Sequence, residues 1–181
     1  MNKSVSPFEP GHLGIAGAGQ LAKMTALAAY NLGCRVSVLE RNDFSPAVAL
    51  AGQSEVGDWN DPQALMHLAE KVDVLTLESE FVDAGSLAEV ERAGHTVLPS
   101  SNSMALIQDK LVQKQTLKDA GLPVPRFCAV EKVEDVEAAA AQWGWPLVLK
   151  TRRDGYDGKG NAAIDSAAEI EAAWERLGGK G

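Results

Sequence analysis

Lys150 stands at the end of the apolar run Leu147-Val148-Leu149. The residues after it, Thr151-Arg152-Arg153-Asp154-Gly155-Tyr156-Asp157-Gly158-Lys159-Gly160-Asn161, put glycines and further cations into one short loop. A lysine whose stem is held by an apolar strand presents its ammonium at a fixed place, and glycines leave the following backbone free to turn its N–H groups toward a ligand. Such groups suit the oxygens of a triphosphate. The loop is not a Walker loop, since no glycine-lysine-serine or threonine opens a helix here. The plain alternative is a flexible hairpin whose basic residues are only solvated.

Two further motifs carry possible chemistry. Gly17-Ala18-Gly19-Gln20-Leu21-Ala22 lies where an apolar run gives way to a helical pattern. Free N–H groups at a helix start favour an anion, and Glu40 at the end of the next apolar run completes the pattern of a dinucleotide site by accepting from a ribose hydroxyl. The same turn also serves simple close packing of helix on strand. Asp109-Lys110-Leu111-Val112-Gln113-Lys114 opens a helix that ends at Gly121-Leu122-Pro123. By itself it reads as an exposed amphipathic helix with solvated lysines, but it lies just ahead of the second glycine loop.

These residues need elements to hold them. Over the first hundred residues, short apolar runs alternate with helical patterns, the signature of βα units in a mostly parallel, doubly wound sheet. Strands are expected at Leu13 to Gly17, Arg35 to Leu39, Glu55 to Gly57, Val74 to Leu77 and Thr96 to Leu98. Helices are expected at Gln20 to Leu32, Pro62 to Glu70 and Ser86 to Ala93. In the first helix Leu21, Met24, Ala28 and Leu32 share a face, and Gly33 sits where a left-handed cap is wanted. Pro99 and the polar run Ser100 to Ser103 break the alternation, so a domain boundary is placed there, giving domains 1–100 and 101–181. The second is expected to hold a helix at Asp109 to Ala120, a strand at Phe127 to Val130, a helix at Val133 to Trp143 and the strand ending in Lys150. After the glycine loop come a short strand at Ala162 to Ile164 and a helix at Ser166 to Leu177.

Composition limits the partners. With 45% hydrophobic and 23% charged residues the chain can bury an ordinary core, and a formal net charge of −8 argues against nucleic acid and anionic membrane as partners. The leader Met1 to His12 has neither a secretory nor a membrane-spanning apolar run. Cys34 and Cys128 lie far apart in apolar contexts and are expected as reduced core thiols in a cytoplasmic protein.

Taken in order, GxGQL, an acidic strand end, DKxxxK with GLP, an apolar strand ending in lysine and then GYDGKG closely resemble the N5-carboxyaminoimidazole ribonucleotide synthetases of the ATP-grasp superfamily, over about residues 13 to 177. The resemblance implies a doubly wound pre-ATP-grasp domain followed by part of an α+β ATP-grasp domain. It implies an ATP-dependent ligase that phosphorylates bicarbonate to carboxyphosphate and carboxylates 5-aminoimidazole ribonucleotide in purine biosynthesis. Implied contacts to ATP are Lys110, Lys150, Gly155, Tyr156, Asp157, Gly158, Lys159, Gly160 and Asn161; implied contacts to the ribonucleotide are Gly19, Gln20, Leu21 and Glu78. Homodimers are common in the family.

The sequence departs from the family pattern at three places: Glu78-Ser79-Glu80-Phe81 replaces glutamate-phenylalanine-glutamate-asparagine, Asp154 replaces a frequent glycine, and Asn161 a frequent glutamine. The carboxylates and amides that would hold Mg²⁺ between the phosphates are expected beyond Gly181, so no catalytic or metal residue is assigned and the chain is expected to be the N-terminal part of a longer enzyme, inactive alone. Asp165 and Glu169 to Glu171 read as charges at a helix start. Competing expectations are another ATP-grasp carboxylase or ligase, a non-catalytic nucleotide-binding fragment, and a nicotinamide-dependent oxidoreductase fragment using Gly17, Gly19 and Glu40.

Overall fold

The computed structural model of the chain describes residues 11–156 and 158–178. Its contacts divide it into two compact units, Met1–Ala105 and Leu106–Gly181.

In the first unit β1 (His12–Ala16), α1 (Gln20–Asn31), β2 (Arg35–Glu40), β3 (Gln53–Val56), α2 (Pro62–Ala69), β4 (Val74–Leu77) and α3 (Ala84–Arg92) build a parallel sheet of order β3-β2-β1-β4. The register aligns Leu13 with Val36 on one side and with Val74 on the other. Successive side chains of a strand face opposite ways, and the core follows that alternation. Ile15, Val36 and Val38 join Ala22, Ala26 and Ala29 of α1, while Ala16, Leu39 and Leu75 join Leu65, Leu68, Leu87 and Val90 of α2 and α3. Each fully buried leucine contributes on the order of 2 kcal/mol of transfer free energy. The doubly wound reading therefore holds, with a helix layer on each face.

Several local expectations need correction. The face of α1 that carries Leu21, Met24 and Leu32 points outward, these residues being 60%, 58% and 82% exposed; the buried stripe is alanine, which lets the helix approach the sheet closely. Thr96 to Leu98 forms no strand. It makes one bridge, Val97 beside Leu75, since Pro99 has no N–H with which to continue a ladder. The serine run after Pro99 begins a helix that was not expected, α4 (Ser101–Gln108), with the Ser100 hydroxyl accepting from the Ser103 N–H at 3.2 Å. Gly33 does take the left-handed cap, at φ 78°.

The second unit contains α5 (Lys110–Asp119), α6 (Val133–Trp143), the antiparallel pair β5 (Leu147–Lys150) and β6 (Asn161–Ile164), a short 3₁₀ turn (Ala167–Glu169) and α7 (Ile170–Arg176). Val136 of α6, Leu149 of β5, Ala162 and Ile164 of β6, and Ile170 and Ala173 of α7 form its core. Phe127 to Val130 forms no strand, and Cys128 is exposed rather than a core thiol. Phe127 is instead flanked by the ammoniums of Lys114 and Lys118, at 5.9 and 5.8 Å from its ring centre. Glu169 takes the role expected of it at a helix start, accepting from the Asp165 N–H and the Ser166 hydroxyl. Among the described residues no helix is long and apolar enough to cross a membrane.

Candidate nucleotide-binding site

β5 and β6 pair from Leu147 with Ile164 to Lys150 with Asn161, and the Thr151 N–H donates to the Gly160 carbonyl at 2.9 Å. The glycine loop is thus a hairpin with a defined neck. The neck is narrow: a Cβ on Gly160 would lie 2.5 Å from the Thr151 hydroxyl and 2.6 Å from the Gly155 Cα, and one on Gly155 would lie 2.8 Å from the same hydroxyl. Glycine is required at both places by space. Gly158 needs it for conformation, at φ 78°, and Asp154 also sits in the left-handed region, at φ 60°. Aspartate is among the side chains that tolerate that conformation best.

α5 brings the second cation. Asp109 is its N-cap, accepting from the Leu111 and Val112 N–H groups at 3.0 and 3.2 Å. The next residue, Lys110, donates its backbone N–H to the Arg152 carbonyl at 2.9 Å and its ammonium to the Gly155 carbonyl at 3.3 Å. Lys110, Lys114, Lys150 and Arg152 line a cavity of 470 Å³ whose remaining wall includes Phe127, Val136, Trp143 and Leu149. The Arg126 guanidinium lies 5.8 Å from the Trp143 ring centre. Apolar surface with a cationic edge suits a ligand that is a flat ring at one end and an anion at the other. Lys150 is exposed, so its stem is not clamped as expected, and it stands in the lining of the cavity. Lys159 lies over the Tyr156 ring, at 4.5 Å from its centre, and donates to the Tyr156 hydroxyl at 2.9 Å. Asn161 begins β6, where its carbonyl accepts from Arg176 at 2.8 Å. Asp157 lies outside the described residues.

Sequence reading passed over Asp109 and Arg152 as site residues. Arg152 grips the Asp109 carboxylate through Nη2 at 2.6 Å and Nε at 3.2 Å. Burial pushes the Asp109 carboxyl up, but the Arg152 guanidinium and the Val112 and Leu111 amides outweigh it and hold the group below the usual carboxylate range. The available signal was an aspartate at a helix start.

The other glycine turn belongs to the first unit. The Ala18 N–H donates to Glu40 Oε2 at 2.9 Å, and the Gly19 N–H donates to Glu78 Oε2 at 2.6 Å. A Cβ on Gly19 would run into Glu78 Oε1, and one on Gly17 would lie 2.7 Å from Glu78 Oε2. Two carboxylates of the chain itself thus fill the anion-seeking amides, and Glu40 is turned inward to its own backbone. This counts against the nicotinamide reading, which needs those groups for a pyrophosphate and a ribose. Gln20 and Leu21 are exposed at the start of α1, beside Glu78's contact at Gly19. Among the described residues no group of three or more His, Cys, Asp or Glu side chains could hold a metal ion.

The family model of the ribonucleotide synthetase preATP-grasp domain matches residues 11–108, and that of the ATP-grasp domain matches residues 115–181. The chain belongs to the ribonucleotide synthetase preATP-grasp family. It is 43% identical to the N5-carboxyaminoimidazole ribonucleotide synthase of Synechococcus elongatus over 97% of this chain and 44% of that protein. The N5-carboxyaminoimidazole synthetase of Staphylococcus aureus, solved in complex with ADP, superposes with a TM-score of 0.87 at 32% identity, over 94% of this chain and 45% of that one. An Aspergillus clavatus synthase, solved with ADP and 5-aminoimidazole ribonucleotide, superposes with a TM-score of 0.82 at 31% identity, over 93% and 44%. The chain therefore spans less than half the length of these relatives.

Proposed function

We propose that this chain supplies the ATP-phosphate grip and the ribonucleotide-facing domain of an ATP-dependent ligase that carboxylates 5-aminoimidazole ribonucleotide. In that reaction ATP phosphorylates bicarbonate, and the resulting carboxyphosphate delivers its carboxyl group to the exocyclic amine of the ribonucleotide. The observation that carries the reading is the convergence of Lys110, Lys150 and Arg152 on one cavity with a largely apolar wall, whose last lining residues, Lys150 to Arg152, lead into the glycine-necked loop. Phosphoryl transfer depends on placing and neutralising charge rather than on a covalent role for the protein. Here Lys110 and Lys150 would neutralise phosphate oxygens, the loop residues Gly155, Tyr156, Gly158, Lys159, Gly160 and Asn161 would close over the triphosphate, and the wall around Phe127 and Trp143 would take the base. Asp157 belongs to the same proposal.

On the first unit, Glu78 with Gly19, Gln20 and Leu21 is proposed to face the aminoimidazole ribonucleotide. Its carboxylate already accepts from an N–H donor and is chemically suited to accept from an amine. Mg²⁺ bound to the ATP phosphates goes with the reading. Cytoplasmic residence and a homodimer go with the reading.

Calorimetric titration tests it. ATP and ADP are expected to bind and NAD not to, with Lys110→Ala and Lys150→Ala each weakening ATP roughly tenfold, the scale of one charge-assisted contact. Binding of NAD alone, indifferent to Lys150→Ala, would overturn the assignment. Glu78→Gln is expected to weaken the aminoimidazole ribonucleotide while leaving ATP unchanged.

A further inference from the structure

Asp109 is only 3% exposed and does not line the cavity, yet its carboxylate holds groups from two elements. Its carboxylate takes both Nη2 and Nε of Arg152, approaches Arg153 Nε at 3.7 Å and caps α5 through the Leu111 and Val112 amides. One buried anion thereby joins the start of α5, where Lys110 begins, to the segment that enters the glycine loop. The join is doubled by main chain, because the Lys110 N–H donates to the Arg152 carbonyl.

The consequence is geometric. The cavity's cationic edge comes from two elements far apart in sequence, Lys110 on α5 and Arg152 after β5. Nothing within either element sets the spacing between those cations. Asp109 does, together with the Lys110–Arg152 main-chain hydrogen bond: it caps the helix that Lys110 begins and holds Arg152 through two nitrogens, which leaves a planar guanidinium little freedom to turn.

We infer that Asp109 is a positioning residue for nucleotide phosphates, fixing Lys110 and Arg152 at the separation a polyphosphate requires. The inference rests on the nucleotide reading above. It makes a prediction opposite to that of simple electrostatics: removing a negative charge beside an anion site should tighten an anion, whereas loss of registration should loosen it.

The test uses the chain as it stands, with Asp109→Asn, which keeps size and a cap acceptor, and Arg152→Lys, which keeps charge but loses the fork. ADP affinity is measured by calorimetry well below the unfolding midpoint, and amide exchange of Lys110 and Thr151 by NMR. Asp109→Asn is expected to weaken ADP roughly tenfold and to speed exchange at both amides by at least a similar factor. Arg152→Lys should reproduce both effects. Tighter or unchanged ADP binding by Asp109→Asn would overturn the inference, even with a lowered midpoint, since Asp109 would then be a structural cap only. Unchanged amide exchange would overturn it as well. A wild-type chain that binds no nucleotide would instead remove the reading on which the role of Asp109 depends, while the exchange data would still show whether the carboxylate joins the two elements.

Discussion

Gly160 is bound by space rather than by backbone angle, and this separates it from Gly158. A methyl at 160 meets the Thr151 hydroxyl and the Gly155 main chain, so Gly160→Ala must push the neck open. Overpacking of this kind costs about 1–3 kcal/mol, and thermal unfolding is expected to show it along with weakened ADP binding. At Asp154 the opposite change is mild. Asp154→Gly relieves the left-handed strain but frees the unfolded chain, so its stability is expected to stay within about 1 kcal/mol of the parent. At this scale the sequence was informative where a feature is made by neighbours in the chain: the strand ending in Lys150 and the glycine loop after it were legible from type and spacing. The Asp109–Arg152 pair did not, because its partners lie 43 positions apart and only the fold brings them together.

Elements were legible where pattern and caps agreed. β4 and α6 were read at the boundaries observed, the first from the short run Val74-Leu75-Thr76-Leu77 and the second from an alanine-rich helix ended by Gly144 and Pro146. α4 was missed because its serines look like a linker, although serine after Pro99 is also a start signal. Periodicity located α1 but pointed its wrong face inward, since the apolar stripe of larger residues outscored the alanines that meet the sheet. That packing yields a contrast. Ala26→Leu, which forces bulk between α1 and the sheet, is expected to cost about 1–3 kcal/mol, whereas Met24→Gln on the exposed face should change stability by less than about 0.5 kcal/mol. Chemical denaturation of the two variants measures the difference.

At the level of the whole chain, the net charge of −8 makes the cationic cavity edge a local exception, held by geometry against the general field. One buried histidine makes the stability of the first unit depend on pH. His12 is tied to Ser37 through Nε2 at 2.8 Å; burial and then Arg35 lower its pKa from the ordinary 6.5, with Asp73 opposing. The unfolded chain therefore binds the proton more readily than the folded one. The contribution of His12 is whole above pH 6.5 and is lost as pH falls below it. The unfolding midpoint of the first unit is expected to fall between pH 7.5 and 5.5, and His12→Asn should flatten that slope.

The wall of the cavity has an optical side as well. Trp143 is part of that wall with a guanidinium beside it, whereas Trp59 belongs to the first unit under Arg41, 4.0 Å from its ring centre. A purine seated against the Trp143 indole would quench or shift its ultraviolet emission and leave that of Trp59 alone. Of the four tryptophans Trp143 is the one that lines the cavity, so the nucleotide-dependent part of the emission is expected to be lost in Trp143→Phe while that of Trp59, Trp145 and Trp174 remains.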